Sequence, residues 1–331
     1  MLFSQISGID INSAGQIFVA DTDAVQVFVF SETGEFIRII GREGKGPGEF
    51  TGINGISVGP GDSLFVLNWS PKHLSVFEPE WHQFEYSLRI PETLLSYPDE
   101  LLGVTERGYY ILYQSVFSFL GYFEEQPSLA DAGRYAMVYF IGTDGSMSDE
   151  PVMKLPGRKF IVSTETSGML IRPLPFGRHF TYRVDSAGLL YSGWNDTIDI
   201  LVSADDGQVH RTIRIDHQPL KVTRADIDSL LASLSSRNSR KMVMDADLPK
   251  TRPAYESFAV DDKGRVWVRI TTAKETDTVS WTIISRENTA VADAILPANV
   301  KLWFIEGARA YGTAENELGA EYVVVYSTTG V

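Results

Sequence analysis

The chain has no cysteine. That excludes disulfides, a thiol nucleophile and any zinc or iron–sulfur site built on thiolates, although it leaves the cellular compartment open. Histidine is scarce. His73, His82, His179, His210 and His217 are the whole complement, and no two of them stand at the spacing of a local metal site. Positive charge is also short, with 29 Lys and Arg against 43 Asp and Glu and a formal net charge of −14 over 331 residues. No basic cluster in the sequence offsets it. Such a surface repels phosphate backbones, so nucleic acid is not an expected partner. Long apolar runs are missing as well; none approaches the roughly 18 residues of a membrane span. The opening "MLFSQISGID" has neither the basic start nor the apolar core of a secretion signal. G-x-S-x-G, H-E-x-x-H and Walker patterns do not occur, which removes the familiar signatures of acyl transfer, zinc proteolysis and nucleotide hydrolysis.

What the sequence does contain is internal repetition. "GIDINSAGQIFVADTDAVQVFVF" from Gly8 superposes without gaps on "GISVGPGDSLFVLNWSPKHLSVF" from Gly55, a shift of 47 residues. Ile9 falls on Ile56, Ile11 on Val58, Ile17 on Leu64, Phe18 on Phe65, Val19 on Val66 and Phe30 on Phe77. The turn-and-strand core recurs as "VTERGYYIL", "VDSAGLLYS", "VDDKGRVWV" and, in worn form, "IEGARAYG". Each unit reads as strand, Gly/Asp turn, strand, with a third strand and a further tight turn after it. Repetition at this period signals a radial or solenoid architecture. Six four-stranded antiparallel units around an axis give an all-β, six-bladed β-propeller, a single domain over 1–331. Its predicted blades span about 4–40, 51–90, 99–156, 168–216, 251–297 and 299–331. The last unit stops after "EYVVVYSTTGV" and lacks its outermost strand. Phe3 already falls on Phe50, so the closing strand is expected upstream of Met1, behind a leader peptide.

"GREGKGPGEF…GINGISVGPGDSLFVL" and "GQIFVADTDAVQVFVFSETGEFIRIIG" resemble NHL repeats. Later stretches, "RPLPFGRHF", "ESFAVDDKGRVWVR" and "GTAENELGAEYVVVY", are similar to uncharacterised, usually exported bacterial six-bladed propeller proteins. The resemblance implies the fold and a periplasmic or extracellular location. It is nearly silent on activity, because propellers host binding modules, lyases, lactonases and scaffolds alike. The glycines of "GREGKGPGEF" follow one strand and lead into another, so they read as an inter-blade crossing, with Phe50 packed between blades, and not as a phosphate loop opening a helix.

Two segments break the repeat: 115–134, between the second and third strands of blade 3, and 223–250, between blades 4 and 5. Both lie on the same face of the disc. In the second, Thr223 and Asp226 form a shortened capping box, and Ile227, Leu230, Leu231 and Leu234 recur at helical spacing, predicting one helical insertion over 223–247. Either these insertions bind a partner or they cover apolar blade tops.

Candidate site residues cluster at the channel mouth on that face. Asp21, Asn68, Gln114 and Trp194 align at the second-strand ends, with Asn195 and Asp196 beside them. Arg172, Arg178 and His179 enter the innermost strand of blade 4. The basic group can receive a carboxylate or phosphate, or pair with neighbouring acids. Oxygens of Asp21, Asn68 and Asp196 can hold Ca²⁺, or make turn hydrogen bonds. The leading expectation is a non-enzymatic propeller, one expected form being a monomer, that binds a protein, peptide or glycan on the inserted face. The alternative is a metal-dependent hydrolase, lactonase or lyase working in the channel mouth.

Overall fold

A computed structural model describes residues 1–68, 70, 72–80, 82–90, 100–114, 135–165, 168–273 and 276–328. Period-two alternation of apolar residues becomes strands throughout. Blade 1 holds β1 (Ile6–Ile11), β2 (Ile17–Asp21), β3 (Gln26–Phe30) and β4 (Phe36–Ile40). Blade 2 holds β5 (Ile53–Val58), β6 (Leu64–Asn68), β7 (His73–Phe77) and β8 (Phe84–Arg89). Blade 3 holds β9 (Glu100–Thr105), β10 (Gly108–Gln114), β11 (Tyr135–Gly142) and β12 (Met153–Pro156). A separate hairpin, β13 (Phe160–Glu165) and β14 (Gly168–Pro173), precedes blade 4. Blade 4 consists of β15 (Phe180–Val184), β16 (Leu190–Trp194), β17 (Ile198–Ser203) and β18 (Val209–Ile215). Blade 5 runs β19 (Tyr255–Val260), β20 (Val266–Ile270), β21 (Thr278–Ile284) and β22 (Ala290–Pro297). Blade 6, among the described residues, has β23 (Val300–Glu306), β24 (Arg309–Glu315) and β25 (Glu321–Ser327). Phe3 bridges antiparallel to Glu321 on the outer side of β25, with N–H···O distances of 2.8 and 2.9 Å.

Every pairing within a blade is antiparallel and sequential, so each blade is a meander. The core lies between blades. Alternation on β2 sends Phe18 and Ala20 into the cluster shared with blade 2, while Ile17 and Val19 join Phe3 and Tyr311 in the cluster shared with blade 6. Comparable clusters join blades 2 and 3, 3 and 4, 4 and 5, and 5 and 6. The ring therefore closes through six apolar interfaces. Phe50 is fully buried in the one between blades 1 and 2, edge-on to Phe77 at 5.9 Å. Gly41 makes this possible: its φ is +75°, and a Cβ there would lie 2.1 Å from the Phe50 ring.

Two features differ from the sequence reading. The region from Gly168 does not open blade 4; it pairs with Phe160–Glu165, and the blade sheet starts at Phe180. Proline at 173 and 175 and the turn closed by Gly177 N–H to Leu174 O (3.0 Å) separate the two. The helical insertion is two helices, α1 (Arg224–Ser233) and α2 (Arg237–Asp245). The Thr223/Asp226 capping box forms, with Asp226 Oδ2 accepting from Thr223 N–H at 2.7 Å. Leu234 then turns extended and Ser236 caps a second helix. The predicted apolar face of α1 is only half-buried apart from Leu234, whereas α2 buries Ser239, Met242 and Val243 and packs against β13. The 115–134 insertion lies outside the described residues.

Candidate functional site: the acidic axial cavity

The second-strand ends behave as staples. Asp21 Oδ2 accepts the Ser4 N–H (3.1 Å), Asn68 Oδ1 the Thr51 N–H (3.0 Å) and Asn195 Oδ1 the His179 N–H (2.8 Å). In each case the donor leads into the first strand of the same blade. Buried backbone amides must be paired, and this recurrent residue pairs them. Trp194, which the sequence aligns with Asp21 and Asn68, packs in the apolar interface between blades 3 and 4, and its neighbour Asn195 does the equivalent work. Asn195 is fully buried, donates to Tyr255 O at 2.9 Å and accepts Ala254 N–H on its own carbonyl at 2.8 Å, tying blade 4 to blade 5.

His179 and Arg178 are similarly occupied. His179 Nδ1 faces Asn195 Nδ2 at 3.0 Å and its Nε2 faces Glu256 O at 3.0 Å, the pattern of a neutral ring protonated on Nε2. Burial pushes its pKa below the usual value, and Arg158 adds to that, against the Glu256 carbonyl. Arg178 pairs with Asp196 at 2.8 Å and donates to Thr251 O and Oγ1 at 2.5 and 2.6 Å. Arg172 stands on the separate hairpin, opposite Ile161. Gln114 ends β10 opposite Ala136. Asp21 Oδ1 accepts from Asp23 and Ala24. Thus Asp21, Asn68 and Asp196 all spend oxygens on protein partners, and the described residues contain no grouping of three His, Asp or Glu side chains able to hold a metal.

The large cavity is elsewhere. It occupies about 920 Å³ on the axis and is lined by the inner strands and the turns that follow them, so it opens on the face opposite the insertions. None of the residues singled out at the second-strand ends lines it. Asp10, Asp62, Glu100, Glu106, Asp185, Asp205, Asp261, Asp262 and Glu306 contribute nine carboxylates, against Arg107 and Arg183. An acid stands at or next to the first turn of every blade. That was legible in "GIDINS", "GPGDS", "VTERG", "VDSAG", "VDDKG" and "FIEGA", but only closure of the ring shows that the six turns converge.

The carboxylates are held in place. Asp10 accepts Ile11 N–H at 2.8 Å and Val58 N–H at 2.7 Å, bridging blades 1 and 2. Burial nevertheless outweighs these bonds and, with Glu306 nearby, raises its pKa to about 6. Burial also raises Glu306, and repulsion from Asp262 and Asp261 adds to it. Asp261 is buried and saturated: Lys263 N–H (3.0 Å), Arg265 N–H (2.8 Å), Arg265 Nε (2.6 Å) and Trp267 Nε1 (3.1 Å) all donate to it. Asp262 Oδ2 accepts Gly307 N–H at 3.0 Å.

The floor is a cross-channel bolt. Arg183 of blade 4 reaches past blade 5 to blade 6, donating through Nε to Trp303 O (3.2 Å) and through Nη2 to Leu302 O (3.3 Å). Its Nη1 donates to Tyr182 O at 2.7 Å. The Tyr182 hydroxyl donates to Glu100, whose pKa burial raises against that bond and the nearby Arg183 and Lys301 charges. At the rim Arg107 pairs with Asp205 at 2.9 Å. Trp303 and Phe304 supply an aromatic wall.

Comparison with known proteins agrees on the fold. The DUF5128 family model, described as a 6-bladed β-propeller, matches residues 1–117. A DUF4221-family protein from Bacteroides vulgatus superposes with a TM-score of 0.53 at 11% identity, covering 98% of this chain and 94% of that one. A protein described as exported, from Bacteroides fragilis, superposes with a TM-score of 0.51 at 12% identity over 99% of this chain and 91% of that one. A Xanthomonas campestris gluconolactonase gives a TM-score of 0.48 at 14% identity over 98% and 87%. No curated protein matches the sequence.

Proposed function

We propose that this six-bladed β-propeller is a non-enzymatic binding protein acting outside the cytoplasm, and that its axial cavity takes a small ligand carrying a protonated amine or guanidine. The observation that carries this reading is the charge of the cavity. Its nine acids and two arginines sum to a formal −7, half the net charge of the whole chain. Asp10, Glu100 and Glu306 are carboxyls whose ionisation the fold opposes. A cation among them supplies the missing counter-charge in a site where walls of low dielectric strengthen it. Binding fits better than proton-transfer chemistry because Asp10, Asp261 and Asp262 are fixed by backbone and side-chain donors that hold them as acceptors. The exported relative of the same fold supports a location outside the cytoplasm, and no helix among the described residues is long and apolar enough to cross a membrane.

A thermal-shift screen tests the reading with 1,4-diaminobutane, argininamide, Ca²⁺ and the N-acetylated diamine. Amines that raise the melting temperature while the acetylated form does not support it. Ca²⁺ acting alone would instead favour the metal-dependent alternative. No response to any cation would remove the reading.

A further inference from the structure

Two segments on the face opposite the cavity, neither of them a continuous basic run, together carry the reverse charge. The hairpin β13–β14 with its flanks (157–179) and the helical insertion with its stem (220–252) contain eleven Lys and Arg against five Asp and Glu. These 56 residues are thus net +6 within a chain of net −14. They form one structure. Helix α2 packs against β13, Val222 N–H donates to Lys250 O (2.9 Å) to close the stem, and Arg178 ties the approach to blade 4 onto Thr251 of that stem. Several of the cations are spent internally, as in Arg252–Asp226 and Arg224–Asp228. Arg237 and Lys241 are exposed and have no ion pair among the described residues.

Apolar side chains accompany them. Met244 is 71% exposed on α2 and Leu170 is 38% exposed on β14. Interspersed cations and protruding apolar tips are the composition of a surface that lies on an anionic bilayer. A soluble polyanion would use the cations and leave Met244 and Leu170 without a role. The chain's overall negative charge does not forbid this. At physiological salt the field of the acidic face decays within about 8 Å, much less than the thickness of the disc.

We propose that this platform docks the propeller on an anionic lipid surface, with the acidic cavity facing away from the bilayer. Flotation with vesicles tests it. Full-length protein should float with phosphatidylcholine vesicles containing about 30% phosphatidylglycerol, where each basic residue near the surface contributes attraction, and should not float with pure phosphatidylcholine. The bound fraction should fall at least tenfold in 0.5 M NaCl. Arg237→Glu with Lys241→Glu should abolish flotation, and Met244→Ser should reduce it several-fold, with unchanged melting temperatures. Lys241→Glu alone serves if the double variant misfolds. Glu306→Gln, on the other face, should float like the wild type. Equal binding to neutral vesicles, no binding to anionic ones at low salt, insensitivity to Lys241→Glu, or capture by soluble polyglutamate without vesicle binding would each overturn the proposal. None of these outcomes depends on whether the cavity binds amines.

Discussion

The two ends of the axial channel are built from the same repeat and use polar residues in opposite ways. At the second-strand end, Asp21, Asn68 and Asn195 turn inward and satisfy backbone amides, and Arg178 closes on Asp196 and Thr251. Asp21, Asn68, Asn195, Arg178 and Asp196 there all have protein partners. At the first-turn end, the chain brings an acid to the axis in each blade and encloses about 920 Å³ between them. Both ends pair polar groups with the chain, but only the first-turn end also gathers an excess of acids, nine against two arginines, around a void. A row of polar residues in register is therefore weak evidence for a site until the backbone has been asked what it needs.

That contrast can be broken experimentally. The largest effect should come from Asn195→Ala. It removes a fully buried side chain that pairs His179 N–H and Tyr255 O, which should cost about 2–4 kcal/mol of stability in chemical denaturation. Amine binding by the folded fraction should survive. Loss of binding without loss of stability would mean that the stapling end is itself the site.

Glu306→Gln should do the reverse. It relieves repulsion with Asp261 and Asp262, so stability should stay level or rise, while affinity for a diamine falls about tenfold, roughly 1.4 kcal/mol. Stability and affinity falling together would show a structural role.

The pH dependence sharpens the same distinction. Asp10 has a folded pKa near 6, above its unfolded value of 3.8. The fold therefore favours its neutral form, and the stabilisation this gives is complete below about pH 4 and lost as pH rises through 6. Cation affinity should move the other way, increasing from pH 5 to 7 as Asp10 ionises, with proton release on binding. In Asp10→Asn the step near pH 6 should disappear. The smallest effect is expected from Asp228→Ala, which breaks an exposed i,i+4 pair with Arg224 and should leave the melting temperature and amine binding unchanged.

The architecture was readable because each repeat unit carries local signals that agree with the closed ring. The match between "GIDINSAG" and "GISVGPGD" at a shift of 47 residues maps onto equivalent strands, and the crossing glycines explain Phe50. The Thr223/Asp226 cap was equally local. The hairpin of 160–173 was missed because its strands pair only with each other and break the repeat. The second helix was missed because its start depends on one capping serine. The cavity was missed for a different reason. Asp185 and Asp261 look like ordinary turn residues, and they do cap their turns. Only the ring makes the six turns neighbours, and only in the ring do burial and neighbouring acids lift Asp10 and Glu306 above ordinary carboxylates.

The most direct measurement is calorimetric titration of the full-length protein with 1,4-diaminobutane at pH 7.5 and pH 5, with wild type and Glu306→Gln side by side. An acidic cavity that receives cations predicts saturable one-site binding at pH 7.5, about tenfold weaker in Glu306→Gln and weaker again at pH 5. Binding of equal strength in both proteins at both pH values, or no binding at all, would contradict it.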